Sequence, residues 1–183
     1  MKTVSIIGTA GRDENNDKLN LEIYNKALNK SKEIIENTFK LDPNNVMLIS
    51  GGAAWMDQIS VNLFHEGYSK KAKLYIPCEW DFKYHQFKRT YKDGDCARPA
   101  NYYHEKFTKI IGKNTLQEIE EATKKGLELD TSMPGFKQRN SSVAKSDYII
   151  SFTWYDSPNG GTKDTWDKAK TKNKININMN ELI

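Results

Sequence analysis

The sequence predicts an α/β protein with a doubly wound, mainly parallel five-stranded sheet and a helical insertion. Short apolar runs rich in β-branched residues alternate with longer segments of helical periodicity, a pattern typical of βαβ units. Three of the runs, VSII, VMLI and YIIS, are continuously apolar, as expected of parallel strands covered on both faces. The length of 183 residues fits a single domain, which we assign to residues 1–183.

Five segments qualify as strands because each is short, largely apolar and bounded by a turn signal. In chain order they are TVSIIG, NNVMLIS, AKLYIP, SDYIISFTW and KININM. Helices are predicted between them from apolar residues that recur every three or four positions. The helical segments are 17–40, 57–67, a stretch near 115–125, 135–147 and 160–172.

The segment from about residue 81 to residue 133 interrupts this alternation. It contains no strand candidate, and it is aromatic and basic before it becomes helical. A connection of this length that leaves a sheet edge is often a lid or a binding segment. A helical layer packed on the sheet is the alternative, and the sequence leaves both interpretations open.

Composition narrows the classes of function. The net charge is +4, with 24 Lys against 4 Arg, and the lysines are dispersed without a recognition-helix motif, so nucleic acid is not the expected partner. Cys78 and Cys96 lack the spacing of metal ligands, and we expect neither a metal site nor a cofactor. No apolar run of about 18 residues predicts a membrane span, and the cysteine usage favours a reducing, cytoplasmic setting.

Four segments that follow predicted strands are expected to meet at one edge of the sheet. They are GTAGRD, SGGAAWMD, PCEWDF and SPNGGT, and three of them are rich in glycine. Ligands of doubly wound proteins bind outside the carboxyl ends of the strands, and a glycine turn before a helix exposes backbone N–H groups to an anion. The sequence therefore predicts a ligand site at this edge.

Taken together, these motifs resemble those of the SLOG superfamily, a Rossmann-like group that includes the DprA and Lonely-guy proteins. The YspA-like branch is the most similar, and the resemblance covers most of the chain outside residues 81–133. Trp55 stands where that branch has glycine. The matching residues are Gly11-Arg12, Gly51-Gly52-Ala53, Asp57, Pro77, Trp80, Arg139-Asn140, Asp147 and Gly161-Thr162.

The resemblance implies that the protein binds a nucleotide or a nucleotide-derived signal, which it senses or sequesters. It also implies pairing into a homodimer or higher homo-oligomer. The expected ligand-binding residues are Gly8, Gly11, Arg12, Gly51, Gly52, Ala53, Asp57, Trp80, Arg139, Asn140, Gly160, Gly161 and Thr162.

Enzymatic members of the superfamily cleave N-glycosidic bonds, so a hydrolase that acts on nucleoside monophosphates is the alternative function. The carboxylates that could serve such a reaction are Glu79, Asp57 and Asp164. Asp164 lies two positions after Thr162, near the place where the Lonely-guy enzymes carry a glutamate. DNA binding in the manner of DprA is a third and weaker alternative.

Several of these residues also have a purely structural interpretation. The guanidinium of Arg12 suits a phosphate but would equally suit the surface, and Asp57 is either a ribose acceptor or a helix cap. The N–H and hydroxyl of Thr162 could hold a phosphate or simply begin a helix. Nucleobase stacking and ordinary packing are both open for the aromatic residues Trp80, Tyr84, Tyr91, Tyr102 and Tyr103.

Overall fold

A six-stranded parallel sheet runs through the middle of the molecule, with helices on both of its faces. The computed structural model describes residues 1–183. The strands are β1 (Lys2–Gly8), β2 (Val46–Ser50), β3 (Lys71–Tyr75), β4 (Trp80–Asp81), β5 (Gln86–Phe87), β6 (Glu128–Asp130), β7 (Tyr148–Thr153) and β8 (Lys174–Asn178). The order in the sheet is β6-β3-β2-β1-β7-β8, whereas β4 and β5 form a separate antiparallel hairpin.

Six helices connect the strands, together with short 3₁₀ turns. They are α1 (Leu21–Glu33, continued by a π-helical turn over Ile34–Thr38), α2 (Gln58–His65), α3 (Ala97–Ile111), α4 (Thr115–Lys124), α5 (Phe136–Val143) and α6 (Gly160–Lys168). Helices α1 to α4 cover one face of the sheet with a large core, and α5 and α6 cover the other face with a smaller one. None of these helices combines the length and apolar character needed to cross a bilayer.

Alternation along the central strands supplies both cores. In β1, Val4 and Ile6 belong to the larger core, whereas Ile7 belongs to the smaller one. Successive side chains of a strand point to opposite faces, so a strand covered on both sides is largely apolar, and its buried polar groups are hydrogen-bonded, as the Ser5 hydroxyl is to the Val143 carbonyl. This confirms the doubly wound, mainly parallel fold that the continuous apolar runs predict.

The sheet contains six strands, not the predicted five, and the statement that residues 81–133 hold no strand was wrong. Strand β6 is only three residues long and has one apolar side chain, Leu129, so it leaves no periodic signal. Contacts with β3 define it instead. The Nζ of Lys73 lies 2.9 Å from Oε2 of Glu128 and 3.2 Å from Oδ2 of Asp130. The backbone N–H of Ile76 donates a hydrogen bond to the Asp130 carbonyl.

The helices of the inserted segment pack as a layer on the sheet. Phe107 of α3 and Ile119 of α4 are fully buried in the larger core. His104 of α3 is also fully buried, and its Nε2 donates a 2.8 Å hydrogen bond to the carbonyl of Gly52, while Nδ1 lies 2.9 Å from the Thr115 hydroxyl. The interior of α3 and α4 is thus part of the core, and α3 is attached to the loop that follows β2.

The strand order places the switch point of the fold between β1 and β7. From β1 the chain proceeds through β2, β3 and β6 to one edge of the sheet, and it then returns to β7 on the opposite side of β1. The loops that follow β1 and β7 consequently diverge and leave a crevice at the carboxyl ends of these strands.

Candidate functional site

A cleft of about 180 Å³ opens at this switch point. The loops that follow β1, β2 and β7 surround it, together with α5 and the beginning of α6. Most of the predicted ligand-binding residues line the cleft, namely Gly8, Arg12, Gly51, Ala53, Asp57, Arg139, Asn140, Gly160, Gly161 and Thr162. Residues not predicted from the sequence complete the lining, namely Ile7, Thr9, Ala10, Asp13, Phe136, Val143, Asn159 and Thr165.

The loop that follows β1, here called the first loop, lies directly against β7. A Cβ atom on Gly8 would lie 2.2 Å from the Phe152 carbonyl oxygen, so only glycine fits at this position. The next residue, Thr9, donates a 3.0 Å backbone hydrogen bond to the same carbonyl. These contacts fix the point at which the chain turns away from the sheet toward Arg12.

The loop that follows β2, here called the second loop, is organised around the buried carboxylate of Asp57. Its Oδ2 accepts hydrogen bonds from the backbone N–H groups of Gly51 and Ala53, at 3.1 and 3.2 Å. Ser50 adds a 2.9 Å bond from its hydroxyl to the Asp57 carbonyl. Burial raises the pKa of the Asp57 carboxyl, whereas Arg139 and the two N–H donors oppose that rise. Asp57 therefore lines the cleft and also holds the loop in shape.

Arg139 enters the cleft from α5 as a buried cation. The residue is 9 % exposed, and its Nη1 donates to the carbonyl of Gly51. Its Nε is buried without any hydrogen-bond partner. A buried guanidinium with an unfilled donor carries a desolvation cost that a bound anion would relieve.

The first turn of α6 presents free backbone donors to the same cleft. The N-cap residue Asn159 makes no capping hydrogen bond with its side chain, and the Asn159 carbonyl accepts from Lys163. The N–H groups of Gly160, Gly161 and Thr162 precede the first intrahelical bond, so they have no acceptor within the helix. No atom lies within 4 Å of the positions where Cβ atoms on the two glycines would be, so an approaching group meets no obstruction there.

Arg12 contributes a second guanidinium to the lining of the cleft. Its Cζ lies 4.8 Å from the ring centre of Tyr103 and 5.1 Å from that of Phe136. The side chain is exposed, and no hydrogen bond or ion pair holds its guanidinium in place. Phe136 also lies under Arg139, whose Cζ is 5.5 Å from the ring centre. The ring of Phe136 thus makes cation–π contacts with both guanidinium groups.

Three of the predicted ligand-binding residues lie outside the lining of the cleft. Gly11 is buried against Trp55, and Gly52 lines a small adjoining pocket. Trp80 is 8 % exposed, packs on Phe87 with ring centres 5.1 Å apart, and donates from Nε1 to Glu120 at 3.1 Å. The indole of Trp80 is accordingly part of the core.

Two of the three predicted catalytic carboxylates also lie outside the cleft. Glu79 is exposed to solvent, with Lys88 3.8 Å away. Asp164 lies on α6 and accepts hydrogen bonds from Lys168 and Asn140, at 2.9 and 3.1 Å. The bond from Lys168 lowers the pKa of Asp164. Asn140, although it lines the cleft, uses its amide to connect α5 to α6.

Trp55 occupies its position with the backbone of a glycine. Its φ is +67°, a left-handed conformation that L-residues with side chains adopt rarely. Its indole points into the core, with ring centres 4.4 Å from Phe107 and 6.4 Å from Tyr24. Trp55 therefore keeps a left-handed backbone without placing its ring in the cleft.

Among the residues that the sequence did not predict, Phe136 had a usable signal. It precedes Arg139 by three positions in a helix, and that spacing places two side chains on the same face. Asn159 gave no signal beyond its position before Gly160. Thr9 and Thr165 gave none, because a single threonine in a loop or helix does not indicate a ligand site.

The fold and the cleft define a doubly wound α/β protein with a candidate anion site at its switch point. No protein-family model matches the sequence. The chain is 32 % identical over 183 residues to Uncharacterized protein R261 of Acanthamoeba polyphaga mimivirus, in an alignment that covers 96 % of this chain and 95 % of the viral protein. The chain therefore belongs to the same family as that viral protein.

Proposed function

We propose that the protein binds a nucleotide or a nucleotide-derived ligand in the cleft, with a phosphate group at the first turn of α6. The observation that carries this proposal is the buried, unpartnered Nε of Arg139 in the same cleft as the uncapped N-terminus of that helix. Each feature attracts an anion, and the two come from different elements of the fold. In this proposal the protein senses or sequesters the ligand without converting it.

The formal charges of the lining cancel, with two guanidinium groups against two carboxylates, so the arrangement of the donors and not the net charge supports a phosphate. Two guanidinium groups, those of Arg12 and Arg139, share the lining with the positive end of the α6 dipole. Asp13 and Asp57 are the acidic residues of the lining, and the Asp57 carboxylate is already engaged by two backbone N–H groups. A planar guanidinium can bind two phosphate oxygens at once, which makes arginine well suited to such a ligand.

We further propose membership of the SLOG superfamily, because many of the residues that carry the resemblance lie around one cleft. Arg12, Gly51, Arg139 and Thr162 come from four separate motifs of the chain and share this lining. The homo-oligomeric state, the cytoplasmic location and the absence of a nucleic-acid partner stay predictions from the sequence.

An N-glycosidic hydrolase is the second candidate function, and Asp57 is the residue that favours it. Among the three predicted catalytic carboxylates, Asp57 alone lines the cleft, and burial raises the pKa of its carboxyl. DNA binding receives no comparable support from a residue of the cleft.

Isothermal titration calorimetry with nucleoside mono-, di- and triphosphates tests the binding proposal. We expect the wild-type protein to bind at least one of them, and Arg139→Lys to bind it at least about tenfold more weakly, because an ammonium group does not reproduce a guanidinium fork. Arg98→Lys is the matched control, since Arg98 is exposed and lies outside the cleft. Failure of the wild-type protein to bind any of the nucleotides would refute the proposal, as would unchanged affinity in folded Arg139→Lys protein.

A further inference from the structure

A second, apolar pocket adjoins the cleft, and the side chain of Arg12 lies at the boundary between them. Arg12, Phe136 and Arg139 line both spaces. The adjoining pocket has a free volume of only about 10 Å³, less than a water molecule needs. Its remaining walls are mainly apolar and include Pro77, Phe87, Ala100 and Tyr103.

Aromatic contacts alone hold the guanidinium of Arg12 at this boundary. It lies over the rings of Tyr103 and Phe136 and donates no hydrogen bond within the protein. A flat, delocalised cation over the faces of two aromatic rings occupies the kind of space that a planar heterocycle fills by stacking. An exposed cation–π contact is also weak compared with a charge-assisted hydrogen bond to phosphate.

The size of the cleft indicates that a nucleotide needs more space, and the adjoining pocket offers it only if Arg12 leaves its position over the two rings. The cleft holds about 180 Å³, whereas pockets that enclose drug-sized ligands have roughly 300 to 1,000 Å³. A phosphate at the first turn of α6 would attract the charge of Arg12, and movement of Arg12 toward the phosphate would join the two spaces. Tyr103 comes from α3 of the inserted segment, so the segment would contribute directly to the ligand site.

We infer that Tyr103 and Phe136 form a stacking subsite for a planar heterocyclic ring of the ligand. When a phosphorylated ligand binds, Arg12 leaves the two rings for the phosphate, and the heterocycle takes its place. Tyr103 therefore determines specificity, since it favours a nucleotide over a sugar phosphate that lacks a base. This inference rests on the proposed function, because the phosphate is what draws Arg12 away.

Calorimetric titration of three variants with two kinds of probe tests the subsite. The probes are ribose 5-phosphate and the four ribonucleoside monophosphates. We expect the wild-type protein to bind its preferred monophosphate at least about tenfold more tightly than ribose 5-phosphate, since stacking of one base on an aromatic side chain contributes an effect of this order. Tyr103→Leu should lose that preference while it binds ribose 5-phosphate as well as before. Arg12→Ala should weaken both probes.

The matched control is Tyr91→Leu, because Tyr91 is 80 % exposed and lies outside both spaces. It should bind both probes as the wild-type protein does. Equal affinity of the wild-type protein for the two kinds of probe would overturn the stacking subsite but leave the anion site standing. An equal loss for both probes in Tyr103→Leu would have the same meaning. If neither kind of probe binds to the wild-type protein, the subsite fails, and the proposed function fails with it when nucleoside di- and triphosphates do not bind either.

Discussion

Gly51 has no side chain because the guanidinium of Arg139 lies where its Cβ atom would be. A Cβ there would approach Nη1 of Arg139 to 2.0 Å and Cζ to 2.6 Å. The carbonyl of the same glycine accepts a hydrogen bond from Arg139, so the loop and the arginine position each other. At the scale of the residue, the glycine pair after β2 thus serves the placement of a buried cation as well as the turn.

Gly51→Ala should lower the free energy of unfolding by about 1–3 kcal/mol, as overpacking of a close-packed site does. It should also weaken nucleotide binding, because Arg139 has to move. Gly161→Ala is the matched control for stability alone, because no atom lies within 4 Å of its Cβ position and alanine is the better residue in a helix. Urea unfolding monitored by circular dichroism measures both variants. Equal stability of Gly51→Ala and wild type would show that Arg139 accommodates the methyl group freely.

Single residues also show where prediction of the site from sequence succeeds. Arg12, Gly51 and Gly160 each follow the carboxyl end of a parallel strand by a few positions, and the topology alone brings such positions together. The same rule fails for Trp80. The chain folds back into the β4–β5 hairpin directly after β3, and this hairpin carries the indole into the core, where it meets Glu120. Proximity in sequence to a strand end does not determine the direction of the following turn.

At the scale of the element, α3 is attached to the second loop of the cleft by His104. Its hydrogen bond to the Gly52 carbonyl requires a proton on Nε2. Full burial leaves no room to hydrate the positive charge that a second ring proton would bring. Burial lowers the pKa of His104 from 6.5 to about 4. The folded state therefore binds the second ring proton of His104 more weakly than the unfolded chain does.

The stability that depends on neutral His104 is complete above pH 6.5 and declines as the pH falls from 6.5 toward 4. In that interval the unfolded chain binds a proton that the folded state excludes. The shift corresponds to a loss of about 3 kcal/mol by pH 4. Thermal unfolding at pH 7, 6, 5 and 4 measures this effect. His104→Gln keeps an N–H donor without a titrating group, so its melting temperature should depend less on pH over this range. Parallel pH profiles for the two proteins would contradict the assignment.

Elements differ in how readily the sequence predicts them. Strands β1, β2 and β7 are continuously apolar because both of their faces are covered, so the pattern indicates them directly. Strand β6 lies at an edge of the sheet, pairs with β3 through its backbone and carries the partners of Lys73, and neither feature leaves a periodic trace in the sequence. The hairpin of β4 and β5 has only two residues in each strand, too few to show a strand pattern in the sequence.

At the scale of the whole molecule, the two faces of the sheet differ in the size of the core that covers them. The face covered by α1 to α4 carries the larger core, whereas α5 and α6 cover a small core and meet at the cleft. The helices that border the cleft, α5 and α6, are short, with eight and nine residues.

This arrangement also bears on whether a bound nucleotide is turned over. Hydrolysis of an N-glycosidic bond needs a carboxylate that can direct water or stabilise an oxocarbenium-like centre. Glu79 and Asp164 lie outside the cleft, and Oδ2 of Asp57 is engaged by two backbone N–H groups. We therefore predict no release of free base from nucleoside monophosphates at ordinary enzymatic rates, about one per second or faster.

Incubation with each ribonucleoside monophosphate, followed by chromatographic detection of free base, measures this turnover. Asp57→Asn is the decisive variant, and Asp164→Asn is its matched control because Asp164 is paired with Lys168 away from the cleft. Release of base by the wild-type protein and by Asp164→Asn, but not by folded Asp57→Asn that still binds the nucleotide, would make the protein a hydrolase with Asp57 as its carboxylate. Tight binding of an intact nucleotide without release supports sensing or sequestration, since the donors of the cleft would then serve to retain the phosphate.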